Sequence, residues 1–197
     1  MVGELLDRLA AKGSKWLDSG PVSGINLSGQ TLADSEFPHF VEQQLTRSGV
    51  PAKALCFEIS ESAMMSDLKR SKRFMGALRD LGCKIALDDF GSGLSSLPYL
   101  ESIPVDFVKI DGQRVMAMAG SRVSCSMVAA IIAAAKVLGL TSVAGCVEGD
   151  DVDLLIRESG VDLMQGAVMS GPQPLDNFLH SAPGGNTTTE SAQGRRA

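Results

Sequence analysis

The sequence predicts an α/β protein built on a parallel sheet with helices outside it. Three observations carry that expectation. Short apolar runs alternate with longer amphipathic stretches, the intervals between runs have helix length, and polar residues recur at the same end of each run. Crossovers of helix length pair strands in parallel, because an antiparallel pair is closed by a short turn. About six strands are expected.

Taken in order, residues 2–17 place Leu5, Leu6, Leu9 and Trp16 at helical spacing. After Gly20 and Pro21, the run Val22–Leu27 is a strand candidate. A helix from about Glu36 to Thr46 is closed by Ser48, Gly49 and Pro51. Leu55–Ile59 is the second strand, Ala63–Leu81 a helix ended by Gly82, and Cys83–Asp89 the third strand. Val105–Ile110, Ser142–Val147 and Leu163–Gln165 complete the strands, with an Ala-rich helix at Val123–Leu138. From Ser181 onward large apolar residues all but vanish, so 1–180 is expected as the domain and 181–197 as a disordered tail.

Composition narrows function by exclusion. The 197 residues are 44% hydrophobic and 21% charged, with 21 Gly but only 8 Pro, which excludes collagen-like and low-complexity chains. A net charge of −5 argues against DNA, RNA or an anionic membrane as partner. No distinct charged surface patch is expected. The N-terminus lacks a signal-peptide core, and Met127–Leu140 is too short to span a bilayer and contains Lys136. Cys56, Cys83, Cys125 and Cys146 have no CxxC spacing and read as free thiols in a reducing cytosol, so the protein is expected to be cytoplasmic.

The informative pattern is where the polar residues fall. Asn26 closes the first strand, Glu58 nears the end of the second, and Asp88 and Asp89 end the third. Lys109 and Asp111 end the fourth, Glu148 follows the fifth, and Gln165 ends the last. In a closed parallel arrangement the C-terminal strand ends share the face that carries chemistry. An oxygen-rich ring with one cation suits Mg or Mn and lacks the Cys and His set of structural zinc. Singly, each residue also fits a cap, a turn or a core ion pair. Jointly, a polar residue at the same end of every strand favours a site. The adjacent carboxylates of Asp88 and Asp89 can serve two neighbouring metals, and Gly91-Ser92-Gly93 can bring backbone N–H groups to a ligand, or act as a flexible connection.

Six segments together resemble the EAL domain family of cyclic di-GMP phosphodiesterases and receptors. They are Asn26-Leu-Ser, Phe57-Glu-Ile-Ser-Glu-Ser, Leu87-Asp-Asp-Phe-Gly-Ser-Gly-Leu-Ser-Ser-Leu, Val105-Asp-Phe-Val-Lys-Ile-Asp, Val147-Glu and Asp162-Leu-Met-Gln-Gly. The resemblance runs from about Leu5 to Pro174 and implies a TIM-like (β/α) barrel that hydrolyses cyclic di-GMP to pGpG with two Mg or Mn ions. It implies Asn26, Glu58 and Asp88 as ligands of one metal and Asp88 with Asp89 as ligands of the other. Lys109 matches the lysine near the attacking water, Glu61 the glutamate that steadies the loop after Asp89, and Asp111, Glu148 and Gln165 supporting positions.

Two departures from the family pattern shape the functional expectation. The segment carrying the signature Glu-Ala-Leu is absent upstream of Asn26, so an incomplete barrel lacking the family's first two strands is expected, with 180 residues against about 250. Whether Met1 is the true start bears on this. The family's Ala-Glu-Gly-Val-Glu reads Ala144-Gly145-Cys146-Val147-Glu148, so Gly145 replaces a metal-ligand glutamate. Losing a ligand at each site weakens Mg binding, and losing the group that activates water costs about 100- to 10,000-fold in rate. The expectation is a degenerate, non-catalytic member that binds cyclic di-GMP or a protein partner. A homodimer covering the open barrel edge is one form this could take. The alternatives are a weak or partner-completed phosphodiesterase and a gene remnant with exposed sheet edges.

Overall fold

The computed structural model describes residues 2–12, 17, 22–92, 97–148, 150–167, 169 and 171–181. The fold is α/β, with six strands ordered along the sheet as they occur in the chain. The described residues divide into two compact units, 2–86 with 173–181 and 87–172.

The first unit opens with α1 (Val2–Ala10), whose Val2, Leu6 and Leu9 are buried on one face. This helix is shorter than expected: the chain turns at Ala11–Lys12, where the Lys12 ammonium hydrogen-bonds the Leu179 carbonyl. Residues 13–16 of the expected helix lie outside the described residues. Strands β1 (Ser23–Leu27) and β2 (Leu55–Ser60) pair in parallel, with Ile25 opposite Phe57 and Asn26 opposite Glu58. Between them run the short α2 (Gly29–Leu32), capped by Ser28, and α3 (Phe37–Ser48). The latter outlasts its expected end because Gly49, at φ 67°, supplies the left-handed residue that closes it.

The helix expected at Ala63–Leu81 is two helices, α4 (Glu61–Ser66) and α5 (Leu68–Asp80). Asp67 breaks the run by leaving the helical region, at φ −150° and ψ 83°, and its carboxylate accepts the Arg70 N–H at 3.0 Å. An aspartate there satisfies an orphan N–H at a helix start, which offsets the helical turn it interrupts. The buried Ser71 hydroxyl donates to the Met64 carbonyl at 3.1 Å and ties the halves together. Phe37, Phe57 and Phe74 form the aromatic centre of this unit, Phe37 meeting Phe57 edge-on at 5.9 Å and stacking on Phe74 at 5.8 Å. The unit ends in α10 (Leu175–Ser181). Ser181 therefore belongs to a helix rather than to the tail, and the rest of the expected tail lies outside the described residues.

Strand β3 (Lys84–Phe90) is shared between the units, the division falling after Ala86. In the second unit, α6 (Pro98–Glu101) leads to β4 (Phe107–Ile110), then α7 (Gly112–Met116), α8 (Arg122–Val137) and β5 (Thr141–Ala144). Strand β4 starts later than expected because the Val105 N–H turns back to the Ile103 carbonyl at 3.0 Å. Helix α9 (Asp150–Glu158) and the two-residue β6 (Leu163–Met164) follow, with β4, β5 and β6 parallel neighbours. Asp162 locks β5 to β6: its carboxylate accepts both the N–H and the hydroxyl of fully buried Ser142, at 2.8 and 2.6 Å.

Strand β5 stops at Ala144 rather than Val147. Cys146 has φ 53°, which takes the chain out of the extended region. Hydrogen bonding nevertheless continues from Gln165 N to Ala144 O at 2.9 Å and from Val147 N to Gln165 O at 3.1 Å. All four cysteines are free thiols, and among the described residues no helix is long and apolar enough to cross a membrane.

Candidate functional site

The expected site residues are divided between the units, and each unit holds its own group. In the first, parallel register sets Asn26 on β1 opposite Glu58 on β2. Glu58 leans over β1: a β-carbon added at Gly24 would lie 2.4 Å from its Oε1. Gly24 thus makes room for a half-buried carboxylate beside an exposed amide. Gly24, Ile25 and Asn26 also border a cleft of about 420 Å³, closed by Val2, Leu5 and Arg8. Arg8 is held there by Glu4 and Asp176, each at 3.0 Å. Glu61 is buried at the start of α4, where Ser60 caps the helix by accepting the Ala63 N–H.

The second unit is organised around a turn at the end of β3. Asp88 Oδ1 accepts the Asp89 N–H at 3.0 Å and lies 3.4 Å from Lys109 Nζ. Asp89 has φ 54° and Gly91 φ 92°, so two of three consecutive residues are left-handed. For aspartate that conformation costs energy and persists only where the surroundings impose it. Burial first, then the neighbouring Asp88 and Asp111 charges, raise the Asp89 carboxyl above its ordinary range, while Lys109 opposes the shift.

The restraint comes from β4 and α7 in three steps along Lys109, Asp111 and Arg114. The Lys109 ammonium pairs with Asp88, and the Asp111 N–H donates to the Phe90 carbonyl at 3.0 Å. Arg114 then donates Nε–H to the Gly91 carbonyl at 2.8 Å, with a second bond from Nη2 to the same oxygen. The Asp111 carboxylate accepts the Arg114 N–H at 3.0 Å, capping the helix that carries the guanidinium. Gly91 fits tightly, since a β-carbon there would meet Ile131 at 3.1 Å and Arg114 at 3.3 Å.

Gly145 and Gln165 frame the other end of this unit. A β-carbon at Gly145 would find its nearest neighbour, the Ile110 carbonyl, at 3.6 Å, so a side chain has space. Gln165 joins the ladder through its backbone, and Glu148 is exposed. Gly93, expected to face a ligand with Gly91 and Ser92, lies outside the described residues.

The structure therefore brings Asn26 to Glu58, and Asp88 to Asp89, Lys109 and Asp111. Among the described residues no three Asp, Glu, His or Cys side chains gather as a metal cluster. The donors of both groups are carboxylate and amide oxygens, which suit hard divalent cations. Like charges around Asp89 are a local excess that such a cation would relieve.

Sequence reasoning missed two features. Arg114 looks like any surface arginine until the turn it holds is seen; the one available signal is its place three residues after the helix-capping Asp111. The expectation of no distinct charged patch is also corrected. Helix α5 (LKRSKRFMGALRD) has five cations and one carboxylate, and its exposed Arg70 and Arg73 line a cleft of about 370 Å³ with Asp34, Pro38 and Phe74. Net charge had averaged this basic helix away.

Comparison with known proteins agrees with this architecture. The family model for the EAL domain matches residues 2–172. Cyclic di-GMP phosphodiesterase PdeB of Shewanella oneidensis is 35% identical over 154 residues, which are 78% of this chain and 18% of that protein. The structure of PaMucR phosphodiesterase in complex with c-di-GMP has a TM-score of 0.81 at 29% identity, over 89% of this chain and 71% of that one. A manganese and cy-diGMP complex of Klebsiella pneumoniae BlrP1 at pH 6 has a TM-score of 0.75 at 25% identity, over 83% and 41% of the two chains. The chain spans about a fifth of the length of the first curated relatives, 18% and 21%. The TIM-like (β/α) class with six strands, expected from the sequence, stands.

Proposed function

Because the chain belongs to the EAL domain family, we propose that it acts in cyclic di-GMP signalling by binding, with hydrolysis weak or lost. What supports this reading is the sequence Ala144-Gly145-Cys146-Val147-Glu148: the resemblance sets Gly145 where the family carries a metal-ligand glutamate, and glycine offers no side-chain oxygen.

Asn26 and Glu58 in one unit, and Asp88 and Asp89 in the other, are the oxygens that would hold Mg or Mn. A bound divalent ion supplies charge for the phosphodiester and lowers the pKa of a coordinated water. Lys109 keeps a positive charge beside Asp88, where a phosphate oxygen could also be met. Glu61, Asp111, Glu148 and Gln165 are the supporting positions. What is missing is a carboxylate at 145 to orient or deprotonate water, a loss of about 100- to 10,000-fold in rate.

The intact Asp88–Lys109 pair favours a second reading, a slow metal-dependent phosphodiesterase producing pGpG. One experiment separates the two. The protein is mixed with cyclic di-GMP and Mn or Mg, following pGpG formation and, by calorimetry, binding. Binding with turnover weak or below detection, together with turnover in Gly145→Glu at least about 100-fold above the wild-type rate or the detection limit, supports the proposal. Wild-type turnover at about 1–10 per second would sink it. Gly145→Glu should fold normally, since a β-carbon at Gly145 would make only an ordinary contact, 3.6 Å from the Ile110 carbonyl.

A further inference from the structure

We infer that Arg114 is a positioning residue for the Asp88–Asp89 carboxylate pair, fixing the left-handed turn on which the pair stands and thereby its hold on a divalent cation. The cation part rests on the metal-binding reading proposed above.

The geometry gives Arg114 a task that packing alone does not. Two of its guanidinium N–H groups converge on one oxygen, the Gly91 carbonyl, 23 residues away in sequence. That carbonyl belongs to a residue at φ 92°, two positions after Asp89 at φ 54°. Rotating the peptide after Gly91 would swing this oxygen away and release Ser92, whose N–H closes the turn onto the Asp89 carbonyl at 3.3 Å. The guanidinium is itself aimed from both sides. Asp111 caps its helix, and the Met127 sulfur accepts from Nη1 at 2.8 Å. A planar fork with fixed donors suits this clamp, whereas a lysine ammonium delivers one point charge. Groups that orient metal ligands typically change metal affinity about 10- to 100-fold when removed; Arg114 acts one step further out, through the Gly91 carbonyl and the turn that carries Asp89.

The test compares wild type, Arg114→Met, Arg114→Lys and Met127→Leu in the full chain. Amide hydrogen exchange across residues 88–92 is measured without metal, and Mn²⁺ affinity is measured from the electron paramagnetic resonance of the free ion. Arg114→Met should speed exchange at the Ser92 amide about tenfold or more and weaken Mn²⁺ about 10-fold or more. Arg114→Lys should restore part of both, and Met127→Leu, which removes one of the guanidinium's two supports and leaves the Gly91 bonds in place, should give only a small part of either loss. Unchanged exchange in Arg114→Met overturns the inference. So does a Met127→Leu variant as impaired as Arg114→Met, because that would make the region's packing responsible. If wild type shows no Mn²⁺ binding, the metal reading and the cation half of this inference fall together. The exchange data still decide whether Arg114 sets the turn.

Discussion

Gly24 in the first unit and Gly166 in the second leave the same space for a β-carbon, 2.4 Å to the nearest atom, yet they face different matter. At Gly24 the atom is Glu58 Oε1, the end of a rotatable side chain; at Gly166 it is the Val147 carbonyl oxygen, with that residue's N and C also within 3 Å. The contrast extends to the candidate residues. Asn26 and Glu58 are placed by an uninterrupted parallel ladder. Asp88 and Asp89 stand on a turn with left-handed residues, held by bonds from β4 and α7, and the other end of that unit turns on Cys146 at φ 53°. Regular pairing positions a side chain without special backbone. Irregular backbone needs a brace for each departure.

The largest effect that could break this comparison is at the two glycines. Gly166→Ala should cost about 3 kcal/mol in urea unfolding, because backbone atoms cannot step aside. Gly24→Ala should cost under about 1 kcal/mol and instead displace the Glu58 carboxylate, read as a shift of its carboxyl carbon resonance. Equal losses would show that both units are held alike.

A smaller effect sharpens the role of the brace. Ser60→Ala and Asp111→Ala each remove one helix cap, worth about 1 kcal/mol. Only Asp111→Ala should also quicken exchange at the Ser92 amide, since its carboxylate caps the helix carrying Arg114. If Ser60→Ala did the same, the turn would be responding to general loss of stability.

A further effect, confined to alkaline pH, comes from a buried thiol. Burial pushes the Cys83 thiol up from 9.0 to about 11. The folded chain thus holds this proton longer than the unfolded one. The resulting stability is fully present below pH 9 and is lost as pH rises from 9 to 11. The urea midpoint should fall across that window, and Cys83→Ala should flatten the fall. Exposed Cys146 should react with a thiol reagent at pH 8 while Cys83 does not.

Much of this was legible in the residues themselves. Strand positions follow from short apolar runs, and the pairing of Asn26 with Glu58 follows from two such runs laid in parallel. What escaped was tertiary. Asp67 reads as one more helical residue until its carboxylate is seen capping the next turn, and the departure at Cys146 is invisible in an apolar run that looks like strand. Arg114 acts across 23 residues on a backbone oxygen, which no local pattern encodes.

The strand order has a consequence for how the chain is made. Each strand lies beside the one that precedes it in sequence, from β1 to β6. A chain emerging from the ribosome therefore meets each new strand's pairing edge already synthesised, one helix-length crossover earlier. The sheet can lengthen at a single advancing edge, so the loop-closure entropy of each added pairing stays that of a local crossover.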